Sequence, residues 1–160
     1  MRSAIAVLTV LLLAACDGRE ERSGYPDTAT VRIETRRATF IIPVEVAATA
    51  EARQRGFMGR SFLPPDRGML FIYETEGPRS FWMRNCLVAI DAAFLTTDGR
   101  ILNVHEMVPE PGGVGERSYP SAAPVRLVLE MPGGWFRDHG VGVGDRVVLP
   151  EGWPLDSPQE

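Results

Sequence analysis

The chain has 160 residues, of which 44% are apolar, and this is enough for one domain with its own core. Its 17 basic residues are all arginine and are outnumbered by 21 acidic residues, so the net charge is −4. This balance argues against a nucleic-acid-binding protein, which needs clustered cations. The apolar content excludes a disordered chain, and no apolar run reaches the roughly 18–20 residues that span a bilayer.

Residues 1–15 have the pattern of a secretory signal peptide. Arg2 gives a positive start, and an apolar segment runs from Ala4 to Ala15. The segment ends in Leu-Ala-Ala followed by Cys16, which resembles a bacterial lipobox. That resemblance implies cleavage before Cys16, a diacylglycerol on its thiol and acylation (a palmitate-type chain) of the new amino terminus. The alternative is an ordinary cleaved signal peptide followed by an accidental cysteine.

Residues 16–27 are predicted to be the lipidated cysteine and a polar tether. Such a segment spans at most about 35–40 Å when extended, so it would hold the folded domain close to a membrane. Asp17 resembles an inner-membrane retention signal. We therefore expect an extracytoplasmic, lipid-anchored protein of the bacterial cell envelope. Cys86 would then be the remaining thiol, and we expect it to be buried and not reactive.

The segment 28–149 is predicted to form a single β-rich domain, followed by a C-terminal tail at 150–160. Alternation and turn residues predict a hairpin from 30–34 and 39–47. Thr49 and Gly59 are predicted to cap a short helix between them, and a second short helix is expected at 135–139. The other predicted strands are 69–73, 80–83, 87–96, 100–108, 125–131 and 146–149, with a long loop at 109–123. We expect a mainly β (α+β) fold, a compact antiparallel barrel or sandwich of about eight short strands with two peripheral helices.

The sequence between Val44 and Leu149 contains a series of short motifs: Arg-Gly-Phe-Met-Gly-Arg at 55–60, Gly-Met-Leu-Phe at 68–71, Arg-Ser-Phe-Trp-Met-Arg-Asn at 79–85, Ile-Asp-Ala-Ala-Phe at 90–94, Tyr-Pro-Ser at 119–121, Val-Leu-Glu-Met at 128–131 and Gly-Asp-Arg-Val at 144–147. In this order they resemble the motifs of domain-of-unknown-function family 192. The resemblance implies a compact β-rich fold and frequent export, without an established activity. The family usually has Thr where this chain has Cys86, which argues against a cysteine nucleophile common to the family.

The Asp98-Gly99 turn predicts which residues of the flanking strands lie opposite each other. A two-residue turn places Asp91 opposite Glu106 and Leu95 opposite Leu102, on a face that should point inward. Two acids on an apolar face need a shared proton, an Arg or a cation. The alternatives are an internal salt-bridge cluster that fixes the register, or a turn of different length that separates the two acids.

A ligand site at this carboxylate pair is the functional hypothesis. The residues expected to contact the ligand are Asp91, Glu106, Asn85, Arg79, Arg84, Trp82 and Tyr119. The ligand would be a small polar molecule or a saccharide, bound by a membrane-anchored module. A glycan hydrolase that uses the paired acids is one alternative, and a structural or protein-interaction lipoprotein is another. No cofactor is predicted, and two histidines without a cysteine cluster do not predict a metal centre.

Overall fold

The computed structural model describes residues 23–153, which form nine strands and two short α-helices. In chain order these are β1 (Thr28–Glu34), β2 (Thr39–Ala47), α1 (Ala50–Arg55), β3 (Gly68–Gly77), β4 (Ser80–Phe81), β5 (Ile90–Leu95), β6 (Ile101–Met107), a 3₁₀ turn (Pro111–Gly113), β7 (Tyr119–Pro120), β8 (Val125–Pro132), α2 (Trp135–Asp138) and β9 (Arg146–Val148). The mainly β fold class is confirmed. The strand that the sequence did not predict is β7, which lies inside the expected long loop and pairs with β4.

Seven strands form one sheet in the order β6-β5-β8-β3-β2-β1-β9. Neighbouring strands are antiparallel except β2 and β3, which are parallel because α1 provides the crossover between them. The sheet curls until its two edges approach each other, so it has the shape of a half-barrel. At that closure the N–H of Val147 donates to the carbonyl oxygen of Gly99 (2.8 Å), and Arg100 and Arg146 form an isolated antiparallel bridge.

The sheet has a hydrophobic core on each face. The first face is enclosed by the curl and by α2, and its core includes Leu70, Leu129 and Phe136. The second face is covered by α1 and the segments around β4 and β7, and its core includes Phe71 and Val128. Because side chains alternate along a strand, consecutive residues of β5 and β8 contribute to opposite faces.

Helix α1 is shorter than the sequence predicts. Thr49 caps its start as expected, since the Thr49 hydroxyl accepts a hydrogen bond from the N–H of Ala52 (3.2 Å). Its end is not at Gly59 but at Gly56, which has a positive φ of 45° and donates its N–H to the carbonyl of Ala52. This early end allows Phe57 to turn into the second core instead of continuing the helix.

The β5–β6 hairpin has the predicted register over most of its length. Asp91 lies opposite Glu106, but Leu95 lies opposite Ile101 and not Leu102. The reason is the loop length, because Thr96 pairs with the backbone of Arg100 and leaves three residues in the turn. Such a loop ends with a glycine at positive φ and a bulge, and Gly99 has φ +84°.

Two residues outside the predicted domain boundaries pack onto the first core. Tyr25 falls in the predicted tether and Trp153 in the predicted tail, and both contact the core of the first face. Their rings lie edge to face, with centroids 5.2 Å apart. The signal peptide, Cys16 and Asp17 lie outside the described residues.

Candidate functional site

A pocket of about 380 Å³ lies on the second face, between α1, β3, β8 and the segment that follows β4. Its walls are largely aromatic, with Phe57, Tyr73, Phe81 and Trp82 among the lining residues. The Phe81 ring packs edge to face against Phe71, with centroids 4.9 Å apart, so the wall is fixed by the core beneath it. We call this cavity the Glu130 pocket, after the one carboxyl group that lines it among the described residues.

Glu130 lies at the centre of the sheet. Its strand β8 runs between β3 and β5, where Glu130 is opposite Met69 on one side and Ala92 on the other. The residue is only 5% exposed, and burial raises the pKa of its carboxyl group to about 8. Within residues 23–153 the structure shows no hydrogen bond or ion pair to this carboxyl group. The carboxyl oxygens are accessible from the pocket and are available to a ligand.

Two titratable side chains share the pocket with Glu130. The pKa of Cys86 is raised to about 11, first by burial and then by the nearby charge of Glu130. The pKa of Tyr73 is also raised, mainly by burial, although the guanidinium groups of Arg79 and Arg53 oppose the shift. Both groups are therefore uncharged at neutral pH. The thiol is 8% exposed and its hydrogen-bond acceptor is the carbonyl oxygen of Arg84 (3.6 Å), so Cys86 is buried as predicted.

Arginine side chains cover the Tyr73 ring and reach the pocket rim. The guanidinium carbon of Arg79 lies 3.9 Å from the Tyr73 centroid, and that of Arg53 lies 4.9 Å from it. Arg53 also donates to the carbonyl oxygen of Ile72 (2.9 Å), which holds it in place. Arg55 lines the pocket as well. The rim is thus positively charged, whereas the interior is aromatic and uncharged at neutral pH.

Asp91 and Glu106 lie opposite each other as predicted, but on the first face, away from the Glu130 pocket. Asp91 is 1% exposed, and its two carboxylate oxygens accept the N–H groups of Gly134 (2.9 Å) and Phe136 (3.3 Å). Burial raises the pKa of Asp91, and these two hydrogen bonds oppose the increase. Glu106 points to solvent and pairs with Arg137 of α2 at 2.6 Å. Both acids therefore hold α2 against the sheet.

Of the other expected ligand residues, only Trp82 lines the Glu130 pocket, and it is 51% exposed. Arg79 donates its backbone N–H to the Ser121 hydroxyl (3.0 Å), and Arg84 is exposed. Asn85 has φ +54° and its backbone binds Gly113 and Gly59, so it shapes the loop. The structure therefore does not bring the seven predicted residues together.

Tyr119 is buried on the second face, opposite Phe81 in the small β4–β7 sheet. Its ring lies edge to face with that of His105, at a centroid separation of 5.6 Å. Within the described part of the chain, its hydroxyl has no hydrogen-bond partner. Tyr119 is not among the residues that line the Glu130 pocket.

Glu130 is not among the predicted site residues, although the sequence carries a signal for it. Residues 125–131 were predicted to be a strand, and Glu130 is the one acid in this otherwise largely apolar stretch. Glu130 is two residues after Val128, so both side chains lie on the same face of β8, and both residues are buried. An acidic residue inside a buried strand is therefore the pattern that indicates this pocket.

Within residues 23–153, no helix is long and apolar enough to cross a membrane. The same residues contain no group of three or more His, Cys, Asp or Glu side chains that could hold a metal ion. The side chains that line the Glu130 pocket include one carboxyl group, one thiol, two guanidinium groups and several aromatic rings.

Comparison with known proteins gives a family and a fold. The model of the family DUF192, described as Uncharacterized ACR, matches residues 31–149. A crystal structure from Sinorhizobium meliloti 1021, named as a candidate transcription regulator, is 34% identical, with a TM-score of 0.69 over 75% of this chain and 92% of that one. A protein of unknown function from Novosphingobium aromaticivorans DSM 12444 is 30% identical, with a TM-score of 0.70 over 75% of this chain and 84% of that one.

A search of curated proteins finds no significant match. The family match covers most of the chain, and it includes every strand that surrounds the Glu130 pocket. Both solved structures also share the fold over three-quarters of this chain. The chain belongs to the DUF192 family.

Proposed function

We propose that this protein is a binding module for a small polar ligand, held in the Glu130 pocket. The observation that carries the proposal is the buried carboxyl group of Glu130, which has no hydrogen-bond partner among residues 23–153. The carboxyl oxygens are accessible from the pocket, so a ligand can form hydrogen bonds with them directly. A hydrogen bond to a carboxyl group in this largely buried setting contributes to the affinity for the ligand.

The protonation state of Glu130 favours a hydroxyl group over a cation. With a pKa of about 8, the carboxyl group is mainly protonated at pH 7, so it both donates and accepts a hydrogen bond. A hydroxyl group on the ligand is complementary to the protonated carboxyl group, because a hydroxyl group also donates one hydrogen bond and accepts another. A cationic amine would require ionised Glu130 and would be repelled by Arg53 and Arg55 at the rim.

The walls of the pocket fit a sugar ring. The half-exposed Trp82 at the mouth offers an aromatic face to the C–H groups of a sugar, and Gln54 and Ser80 add polar groups at the rim. The volume of about 380 Å³ lies in the range of small-molecule sites, roughly 300–1,000 Å³. The preferred ligand class is therefore a monosaccharide or disaccharide.

Thermal unfolding and calorimetric titration of the full chain, in a non-ionic detergent, test this proposal. The panel contains neutral monosaccharides and disaccharides, amino sugars and simple amines. A ligand at about 100 times its Kd adds roughly 2.7 kcal/mol, which moves the midpoint by several degrees. We expect this increase in the wild type and in Glu116→Leu, a control at an exposed glutamate, but not in Glu130→Leu, which cannot form hydrogen bonds. No shift with any sugar, or an equal shift in Glu130→Leu, would contradict the proposal.

Glycan hydrolysis by Asp91 and Glu106 is the alternative, and the contacts around these acids do not favour it. Both oxygens of Asp91 accept backbone N–H groups, and Glu106 is paired with Arg137. A hydrolase would cleave chromogenic glycosides and lose this activity by orders of magnitude in Asp91→Asn. A binding module does not cleave them.

The anchoring expected from the amino-terminal sequence is part of the proposal. We infer a lipoprotein attached to the cell envelope through Cys16, which places the Glu130 pocket outside the cytoplasm. The support is the sequence pattern around Cys16. Growth with radiolabelled palmitate should label the wild-type protein and leave Cys16→Ser unlabelled. Labelling of Cys16→Ser, or no labelling of either protein, would contradict lipid attachment at Cys16.

The overall charge of this chain does not favour the role in transcription regulation that the name of the Sinorhizobium meliloti relative suggests. A transcription regulator must bind DNA or a protein that binds DNA, and the present chain has 21 acidic residues against 17 basic ones. A domain that binds duplex DNA usually carries a large basic surface. The overall charge therefore favours a small ligand over DNA.

A further inference from the structure

A second cavity lies where the two edges of the sheet approach each other. It is a groove of about 800 Å³ between the turn that joins β1 to β2, the start of β6 and the segment before β9. None of its lining residues lines the Glu130 pocket. Arg36, Arg37, Arg100 and Arg146 all line it, so we call it the arginine groove.

Two of these arginines lie close together. Arg100 and Arg146 are direct partners in the antiparallel bridge that closes the sheet. Like charges directly opposite each other in a sheet are destabilising. Each guanidinium group is nevertheless fixed, since Arg100 donates to the carbonyl oxygen of Gly144 and Arg146 to that of Asp98, both at 3.0 Å.

The carboxylates near the groove already have partners. Glu34 pairs with Arg32 at 2.8 Å, and Asp145 accepts the N–H of Gly142 at 2.9 Å. Asp98 is bound to the Thr96 hydroxyl, which is the main cause of its lowered pKa, with smaller contributions from Arg146 and Arg100.

Within the described chain, none of the four arginines of the groove forms an ion pair with a carboxylate. Four guanidinium groups face two carboxylates, Glu34 and Asp145, along the lining. The groove is therefore positively charged in a protein whose net charge is −4.

We propose that the arginine groove binds a small multivalent oxyanion, a molecule that bears two or more phosphate or carboxylate groups. Guanidinium groups bind such anions through paired N–H donors, and here they come from three separate segments of the chain. A ligand with several anionic groups can contact several of these separated guanidinium groups at once, whereas a ligand with one anionic group cannot. The groove is short and the remainder of the protein is acidic, so a duplex nucleic acid would be repelled outside it.

Calorimetric titration of the full chain with tripolyphosphate, citrate and orthophosphate tests this inference at low and high salt. We expect tripolyphosphate or citrate to bind more tightly than orthophosphate, with affinity that falls as salt rises. Binding of tripolyphosphate alone assigns a phosphorylated ligand, and binding of citrate alone assigns a polycarboxylate. No binding of either, or duplex DNA binding without either, would overturn the proposal.

Substitutions locate the binding. Arg146→Gln and Arg37→Gln should each weaken tripolyphosphate or citrate binding about tenfold, the loss of one charge-assisted contact. Arg117→Gln removes an exposed arginine outside the groove and should leave binding unchanged. Arg37 is exposed on a turn, so its variant tests the proposal even if Arg146→Gln does not fold. Equal losses in Arg37→Gln and Arg117→Gln would show only general attraction to the surface and would overturn it.

The unfolding midpoint without ligand provides a second readout. Arg146→Gln removes the repulsion with Arg100, so its unfolding midpoint should stay the same or increase while anion binding weakens about tenfold. A residue with only a structural role would show the opposite, a lower midpoint with binding unchanged.

Discussion

Asp91 and Glu106 lie directly opposite each other across β5 and β6, and they hold the same helix in two different ways. Asp91 is buried and binds the backbone at the start of α2, whereas Glu106 is exposed and pairs with the Arg137 side chain. The helix has only four residues, so it cannot be stable by itself. Its position therefore depends on these contacts and on Trp135 and Phe136.

Replacing Asp91 should destabilise the protein much more than replacing Glu106. Asp91→Ala removes the acceptor of two buried N–H groups, and we expect a loss of about 2–4 kcal/mol in the free energy of unfolding. Glu106→Gln breaks an exposed ion pair and should change the unfolding midpoint little. Urea unfolding of both variants measures the difference. Similar losses in both would refute the assignment of Asp91 as the main anchor of α2.

The free energy of unfolding should fall as the pH rises, because of Glu130. Its pKa is about 8 in the folded state and near 4.5, the ordinary value for glutamate, in the unfolded state, so the unfolded chain loses this proton first. The contribution of Glu130 to stability is complete below about pH 4.5 and is lost as the pH approaches 8, with a limiting slope of about 1.4 kcal/mol per pH unit.

Urea unfolding at several pH values, for the wild type and Glu130→Gln, isolates this effect. Asp91 also has a raised pKa and acts in the same direction, but it is present in both proteins and cancels in the difference. The difference between the two proteins should therefore follow the slope of a single proton. If the free energy of unfolding changed with pH in the same way in both proteins, Glu130 would not be the group that titrates.

Cys86 should react slowly with alkylating reagents in the native protein. The increase in its pKa from 9.0 to about 11 lowers the thiolate fraction about a hundredfold at pH 8, and burial limits access further. The rate of iodoacetamide modification, measured in a Cys16→Ser background, should rise sharply in urea. Glu130→Gln should raise the native rate, because the charge of Glu130 contributes to the pKa shift. Fast native modification would contradict the buried, protonated thiol.

Gly99→Ala should be more damaging than Gly59→Ala. Both glycines have positive φ, which costs an alanine about 1–2 kcal/mol. A Cβ on Gly99 would also overlap the carbonyl oxygen of Val147, where the curled sheet closes, whereas a Cβ on Gly59 has nothing within 4 Å. Thermal unfolding of the two variants compares the effects. Equal midpoints would mean that close packing at the closure adds nothing.

The local pairing of β5 with β6 could be predicted, because the Asp98-Gly99 turn and the alternation of the strands both lie within a short stretch of sequence. The prediction was wrong only next to the turn, where Leu95 faces Ile101. The partners of Asp91 could not be predicted in this way, since Gly134 is 43 positions further along the chain. No turn residue encodes such a contact.

The candidate site was harder to predict for the same reason. Glu130 becomes buried because β8 inserts between β3 and β5, and the sequence contains no local signal for that strand order. Trp82 is one of the predicted ligand residues, and it lines the pocket. It could be selected from the sequence because aromatic and polar residues surround it there. The other predicted residues were expected to lie around the carboxyl group of Asp91. Asp91 lies on the first face of the sheet, whereas the Glu130 pocket lies on the second.

The contact between Tyr25 and Trp153 brings the two ends of the described chain side by side, with ring centroids 5.2 Å apart. A short peptide could therefore join residues 23 and 153 without bending the sheet. Circular permutation should then be tolerated, with new ends placed in the exposed loop between β6 and β7. Such a permuted protein would keep every strand neighbour and both cavities, while moving any lipid or surface attachment to the loop between β6 and β7.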